Sequence, residues 1–202
     1  MQDENIRRTN RQRSETMRAQ LLAAARDLFI EKGYAETSTP EIVEAAGVTR
    51  GALYHHFEDK KALFAAVVEQ EAAAVAASLD AASPHNLGMR DMLIAGGQAF
   101  LAAMRQPGRT RLLLLDGPAV LGRSELDAID ARHSNRSLKA GITLAVRKGA
   151  MPAALPIDAT TALLSAAFDR AALAIEAGAS AEAYSESLTM LIDGLMVAKA
   201  AE

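Results

Sequence analysis

An all-α protein is predicted by three observations. Apolar residues recur at the helical period along most of the 202 residues, alanine and leucine are plentiful while aromatics reach only 4%, and no stretch alternates as a half-buried strand does. Glycines and prolines then cut the pattern into pieces of helical length.

The first helix is expected over residues 14–32. Leu21, Leu22, Ala25, Leu28 and Phe29 form its apolar stripe, and Gly33 stops it as a C-terminal glycine does. Ahead of it, residues 1–13 read as a flexible basic arm, because Arg7, Arg8, Arg11, Arg13 and Arg18 are opposed locally only by Glu15. Thr37, Ser38 and Thr39 offer N-caps for a second, short helix over 40–46, with Pro40 in the first turn, where its missing N–H costs nothing. Gly47 breaks that helix, a third follows over 49–56, and Asp59 caps a long fourth reaching about Leu79. Further helices are expected near 88–105, 108–115, 118–148, 158–177 and 181–199. Pro84, Pro107, Gly117-Pro118, the 149–156 stretch and Gly178 separate them, and Gly122 is a point where the 118–148 helix can be interrupted.

Composition narrows the function. There is no cysteine, so disulfides and thiolate metal sites are excluded. The polar first twenty residues lack the apolar core of a secretory leader, and the apolar stretch from Met92 to Met104 is too short to span a bilayer. A soluble cytoplasmic protein without a membrane partner is expected. Net charge is −3, yet residues 1–61 balance ten Lys/Arg against ten Asp/Glu, which leaves room for one locally basic face.

The tightest unit is residues 38–57, two short helices joined at a glycine, which is a helix-turn-helix pattern. Gly47 allows a left-handed corner, while Val48 and Leu53 pack the second helix onto the first. The N-terminal end of helix 49–56 is then free to enter a major groove. Gly51 and Ala52 keep that end bare enough for close approach. Arg50 can bond both acceptors of a guanine, and Thr49 can cap the helix and offer its methyl to thymine. Thr37, Ser38, Thr39, Tyr54, His55 and Lys60 fall at the groove's edge, where phosphate contacts set register. His55 and His56 are neighbours about 100° apart on a helix, which does not suit a shared metal, and neither a metal nor another cofactor is expected.

The stretch "TSTPEIVEAAGVTRGALYHHFEDKKALFAAVV", residues 37–68, resembles the DNA-binding signature of the tetracycline-repressor (TetR) family of bacterial regulators, and "LLAAARDLFIEKGY" at 21–34 resembles its opening segment. The resemblance covers about the first third of the chain. Val43 departs from it, since the family usually has alanine where the two helices meet. The division it implies is a DNA-binding head over 1–60 and a helical ligand-binding and dimerisation domain over 61–202.

From the same resemblance come the partners: a palindromic double-stranded DNA operator, a small-molecule effector, and a second copy of the chain. The stripes of the last two helices suit the dimer, with Leu164, Phe168, Ala171, Ile175, Tyr184, Leu188, Leu191 and Leu195 as candidate contacts. A cavity between helices 88–148 and 158–177 could be lined by Met89, Met92, Phe100, Met104, Leu113, Asp116, His133 and Phe168, with Asp116 or His133 as a polar anchor.

No phosphate loop, nucleophile elbow, zinc-protease motif or carboxylate pair supports an enzyme. The alternative is a helical small-molecule-binding or interaction protein with a vestigial DNA-binding head. The retention of Thr49, Arg50, Tyr54 and Lys60 weighs against it.

Overall fold

The computed structural model describes residues 2–82 and 87–197, with side chains from Gln12 onward, and those residues form helices without a strand. In chain order they are α1 (Gln2–Lys32), α2 (Thr39–Ala46), α3 (Arg50–His56), α4 (Lys60–Ala81), α5 (Met89–Met104), α6 (Gly117–Leu121), α7 (Arg123–Arg132), α8 (Ser134–Arg147), α9 (Ile157–Glu176) and α10 (Ala181–Leu195), with a π-helical turn, Arg111–Asp116, leading into α6.

Two apolar cores hold them. The first gathers Leu21, Leu22, Ala25 and Phe29 of α1, Ile42 of α2, Leu53 of α3 and the inner face of α4. Phe29 meets Phe64 edge-on, with ring centroids 5.2 Å apart. This core does not stop at residue 60. It continues through Val67, Val68 and Val75 of α4 to Leu112, Leu126, Ile129 and Ala172, so α4 belongs equally to the head and the body. The second core packs Leu93, Ile142, Ala145, Leu164, Phe168, Ala171, Leu188 and Ile192 from α5, α8, α9 and α10.

Several expected boundaries shift. The first helix begins at Gln2, so residues 2–13, read from sequence as a flexible arm, continue it; the side chains of Arg7, Arg8 and Arg11 lie outside the described ones, as does Pro84. The helix expected over 118–148 is three helices. Gly122, at φ 85°, makes one break, and His133, at φ −121° and ψ −111°, makes another that apolar spacing does not reveal. The segment expected as a helix over 108–115 ends in the π turn. Pro118 lacks the N–H that would bond the Leu114 carbonyl, and Gly117 N–H reaches back to the Leu112 carbonyl instead. A Cβ on Gly117 would lie 2.9 Å from that carbonyl oxygen, so the close approach requires glycine. The last helix ends at Leu195, not near 199.

One helix, α4, is long and apolar enough by length and composition to cross a membrane, a stretch the sequence reading passed over. Its apolar side chains are spent on the first core, and it carries the buried Glu71.

Candidate functional site

The head is built from its caps. Ser38 caps α2 in a reciprocal box: its hydroxyl accepts from Glu41 N–H, and its own N–H donates to the Glu41 carboxylate at 2.9 Å. Lys32 of α1 closes on Glu41 at 2.7 Å. That hydrogen bond, followed by those from Ser38, holds the Glu41 carboxyl down to about 2. Gly47 takes φ 63°, the left-handed corner the turn requires. Thr49 then caps α3, its hydroxyl accepting from Ala52 N–H at 3.2 Å. Leu53 is fully buried and seats the helix on α1 and α2.

With Leu53 inward, the opposite face of α3 is open. Thr49, Arg50, Gly51, Tyr54 and His55 are exposed, and Ala52 is half-buried. Arg50 lies 5.5 Å from the centroid of the Tyr54 ring, one turn along. The Arg50 guanidinium and then the Thr39 hydroxyl hydrogen-bond to the Tyr54 phenol and hold it below its ordinary value. These three residues form one cluster spanning the ends of α2 and α3. His56 differs from His55. It is half-buried, and burial first, then the charges of His55 and Arg18, lowers its pKa.

Two residues expected at the DNA edge are placed otherwise. Thr37 is buried, and its hydroxyl donates to the carbonyls of Gly33 at 2.8 Å and Leu28 at 3.2 Å, so it closes the end of α1. Lys60 donates to the carbonyls of Tyr34 and Thr37, each at 2.9 Å, and its ammonium sits 4.3 Å from the Tyr34 ring centroid. It ties the loop after α1 to the start of α4 and is engaged inside the protein. Ser38 is exposed but serves as the α2 cap.

A cavity of about 350 Å³ opens in the body between the end of α4, α5, α8 and α9. Of the expected lining, Met92, Phe100 and Phe168 are there. The others are not. Met89 packs against the second core, Leu113 is buried in the first, and Met104 lines a separate cavity of about 290 Å³ with Leu101, Thr110 and Ile175. Both expected polar anchors are engaged elsewhere: Asp116 pairs with Arg111 at 3.3 Å, and His133 Nε2 lies 2.5 Å from Glu69. The polar lining consists of Asp80, Ser134, Asn135, Ser137 and Ser165 instead, which sequence reasoning missed because the break at His133 turns the start of α8 toward α4.

The stripe assigned to the dimer is largely internal. Leu164, Phe168, Ala171 and Leu188 are buried in the second core, while Ile175, Tyr184 and Leu195 are half-buried. Leu191 stays exposed, and beside it on the outer faces of α9 and α10 stand Leu163 at 73% and Met190 at 72% exposure. A stripe of the same period, rotated by about one residue, is the unpartnered one.

Head and body also touch away from α4's own backbone. Glu71 of α4 accepts from Arg26 of α1 at 2.7 Å and from Arg109 at 2.6 Å, and Arg26 reaches the Pro107 carbonyl at 3.3 Å. Burial pushes the Glu71 carboxyl up, but the two guanidiniums outweigh it and the net shift is down. Arg111 meanwhile donates to the Ile30 carbonyl at 3.1 Å. The loop before α6 is thereby fastened to α1.

Two family models match the chain. Residues 21–67 match the one described as bacterial regulatory proteins of the tetR family, and residues 90–198 match a tetracyclin repressor-like C-terminal domain. The fold and sequence are similar to a crystal structure of a TetR-family transcriptional regulator from Pectobacterium atrosepticum, at 35% identity and a TM-score of 0.72, covering 93% of this chain and 97% of that one. Among curated relatives, the transcriptional repressor BepR of Brucella suis is 36% identical over 107 residues, half of each chain. The repressor AcnR of Corynebacterium glutamicum is 29% identical over 86% of this chain and 89% of its own. The matches to the first few curated relatives span half of those proteins' length or less.

Proposed function

The chain belongs to the bacterial TetR family, and from that premise we propose that it is a homodimeric, sequence-specific regulator of transcription, a repressor that a small-molecule inducer releases from a palindromic operator in the cytoplasm. The observation that carries this reading is the state of α3's first turn. Gly51 costs its helix about 1 kcal/mol relative to alanine. Yet a Cβ there would meet only the Thr49 hydroxyl, at 3.9 Å. Packing within the protein does not ask for glycine at that position, whereas close approach to base edges does.

Arg50 reads a guanine beside that bare turn, and Tyr54, Thr39 and His55 meet the flanking phosphates. Leu163, Met190 and Leu191 join two copies about a two-fold axis, which sets two α3 helices one DNA turn apart, about 34–36 Å. An effector in the 350 Å³ cavity touches the last turn of α4, whose first turn holds the loop after α1 through Lys60, so filling the cavity shifts the head. Ligand and operator then oppose each other by one reciprocal coupling factor.

The test is Arg50→Ala on a selected operator. The substitution is expected to weaken binding by about 1–3 kcal/mol and to relax preference at one base position of each half-site. An equal loss on every sequence would make Arg50 a phosphate contact and contradict the assignment.

A further inference from the structure

The cavity between α4, α5, α8 and α9 carries formal charge at one point. Asp80 is the charged residue of its described lining, and the remaining polar side chains, Ser134, Asn135, Ser137 and Ser165, are neutral. No Lys, Arg or His lines it among the described residues. Two nearby cations are committed elsewhere: Lys139 of α8 pairs with Asp158 at 2.6 Å, and Arg132 with Glu69. Asp80 also stands in the last turn of α4, where the helix's terminal carbonyls concentrate partial negative charge. The first turn of α8 brings the opposite partial charge, and Arg136 in that turn is exposed and outside the described lining.

The rest of the wall is apolar and aromatic. Phe100 and Phe168 meet at 66° with centroids 5.9 Å apart, and Met92 and Leu93 stand beside them in the lining. Gly97 makes room for Phe168, since a Cβ there would lie 2.5 Å from its Cζ. Aromatic rings beside a lone carboxylate suit a delocalised positive charge on an apolar body. A carboxylate or phosphate ligand would instead meet Asp80 and the α4 carbonyls with no cation in the described lining to compensate it.

We propose that the effector is a lipophilic cation, seated against Phe100 and Phe168 with its charge toward Asp80. The proposal rests on this cavity being the effector site.

Tetraphenylphosphonium and tetraphenylborate, alike in shape and opposite in charge, make the test, with neutral phenylnaphthylamine alongside. Each is titrated calorimetrically into the full-length protein and into its operator complex. The phosphonium is expected to bind at least about tenfold tighter than the borate and to lower operator affinity. Asp80→Asn should weaken the phosphonium about fivefold, and Asp80→Lys should reverse the preference between the two ions. Borate or the neutral dye binding as tightly and releasing DNA would keep the cavity as effector site and overturn the cation. Phosphonium binding indifferent to Asp80→Lys would place it elsewhere and overturn the proposal. Binding by none of the three would bring down both the cation and the effector site.

Discussion

Gly51 sits where an added methyl would touch almost nothing of its own protein. Substituting alanine there is expected to stabilise the fold by about 0.5–1 kcal/mol, since the helix no longer has to order a glycine backbone. The same methyl should weaken operator binding. A rise in melting temperature joined to a loss of affinity would separate folding from reading at a single atom. Unchanged or improved affinity would show that the turn does not approach bases. Lys60 is the counterpart case. Its residue type and position suggested a phosphate contact, but its ammonium already has two carbonyl acceptors and an aromatic face. Sequence shows that a charge is present; it does not show what that charge is already bonded to.

At the scale of elements, α9 and α10 each present two apolar stripes, and only one of them is free. Leu163→Glu combined with Leu191→Glu is expected to convert dimers to monomers in sedimentation, because both side chains are exposed in the single chain. Leu188→Glu should unfold the body instead, since it buries an unpaired charge in the second core. A double variant that remains dimeric would move the interface elsewhere. Apart from the start of α1, the helices of the head were legible to within a residue or two, and the reason is local. Ser38, Gly47, Thr49 and Asp59 each act within three or four residues through a cap or a left-handed corner, so the signal lies where the effect does. The break at His133 was not legible. Its partner, Glu69, is on another helix, and Leu126, Ile129, Ile142 and Ala145 stay apolar across it. The choice between stripes on α9 was hidden for a similar reason, because alanine and leucine occupy both. The cavity's polar lining depends on that same break.

At the scale of the molecule, stability should depend on pH through two acidic groups in the body. Burial first, and then the charge of Asp130, pushes Asp169 up to about 7 against the pull of Arg123. Asp130 is pushed up to about 6 by burial and then by Asp127, against Arg123 and His133. Both folded values lie above the 3.8 of a free aspartate. Their contribution to stability is therefore complete below that value and is lost as pH rises through the folded ones. Glu41, Glu69 and Glu71 are shifted down and act only in acid, below their ordinary 4.5. His56, shifted down from 6.5, gives an opposite slope within the same range, so the informative quantity is a difference between proteins. Asp169→Asn is expected to gain on wild type in urea midpoint between pH 5 and pH 8, measured at one protein concentration. Parallel curves would mean that Asp169 is ordinarily ionised. The Arg26–Glu71–Arg109 group, built around the buried Glu71, and the fastening of Arg111 to Ile30 meanwhile give the head a second attachment beside α4.

The central claim is that α3 reads a DNA sequence, and selection tests it most directly. Fragments of the source genome would be captured on the purified protein, and the recovered sites titrated at several salt concentrations. The account predicts a palindrome with half-sites one helical turn apart, bound tightly and with affinity falling steeply as salt rises. Weak binding shared equally by all fragments, with no motif recovered, would contradict it.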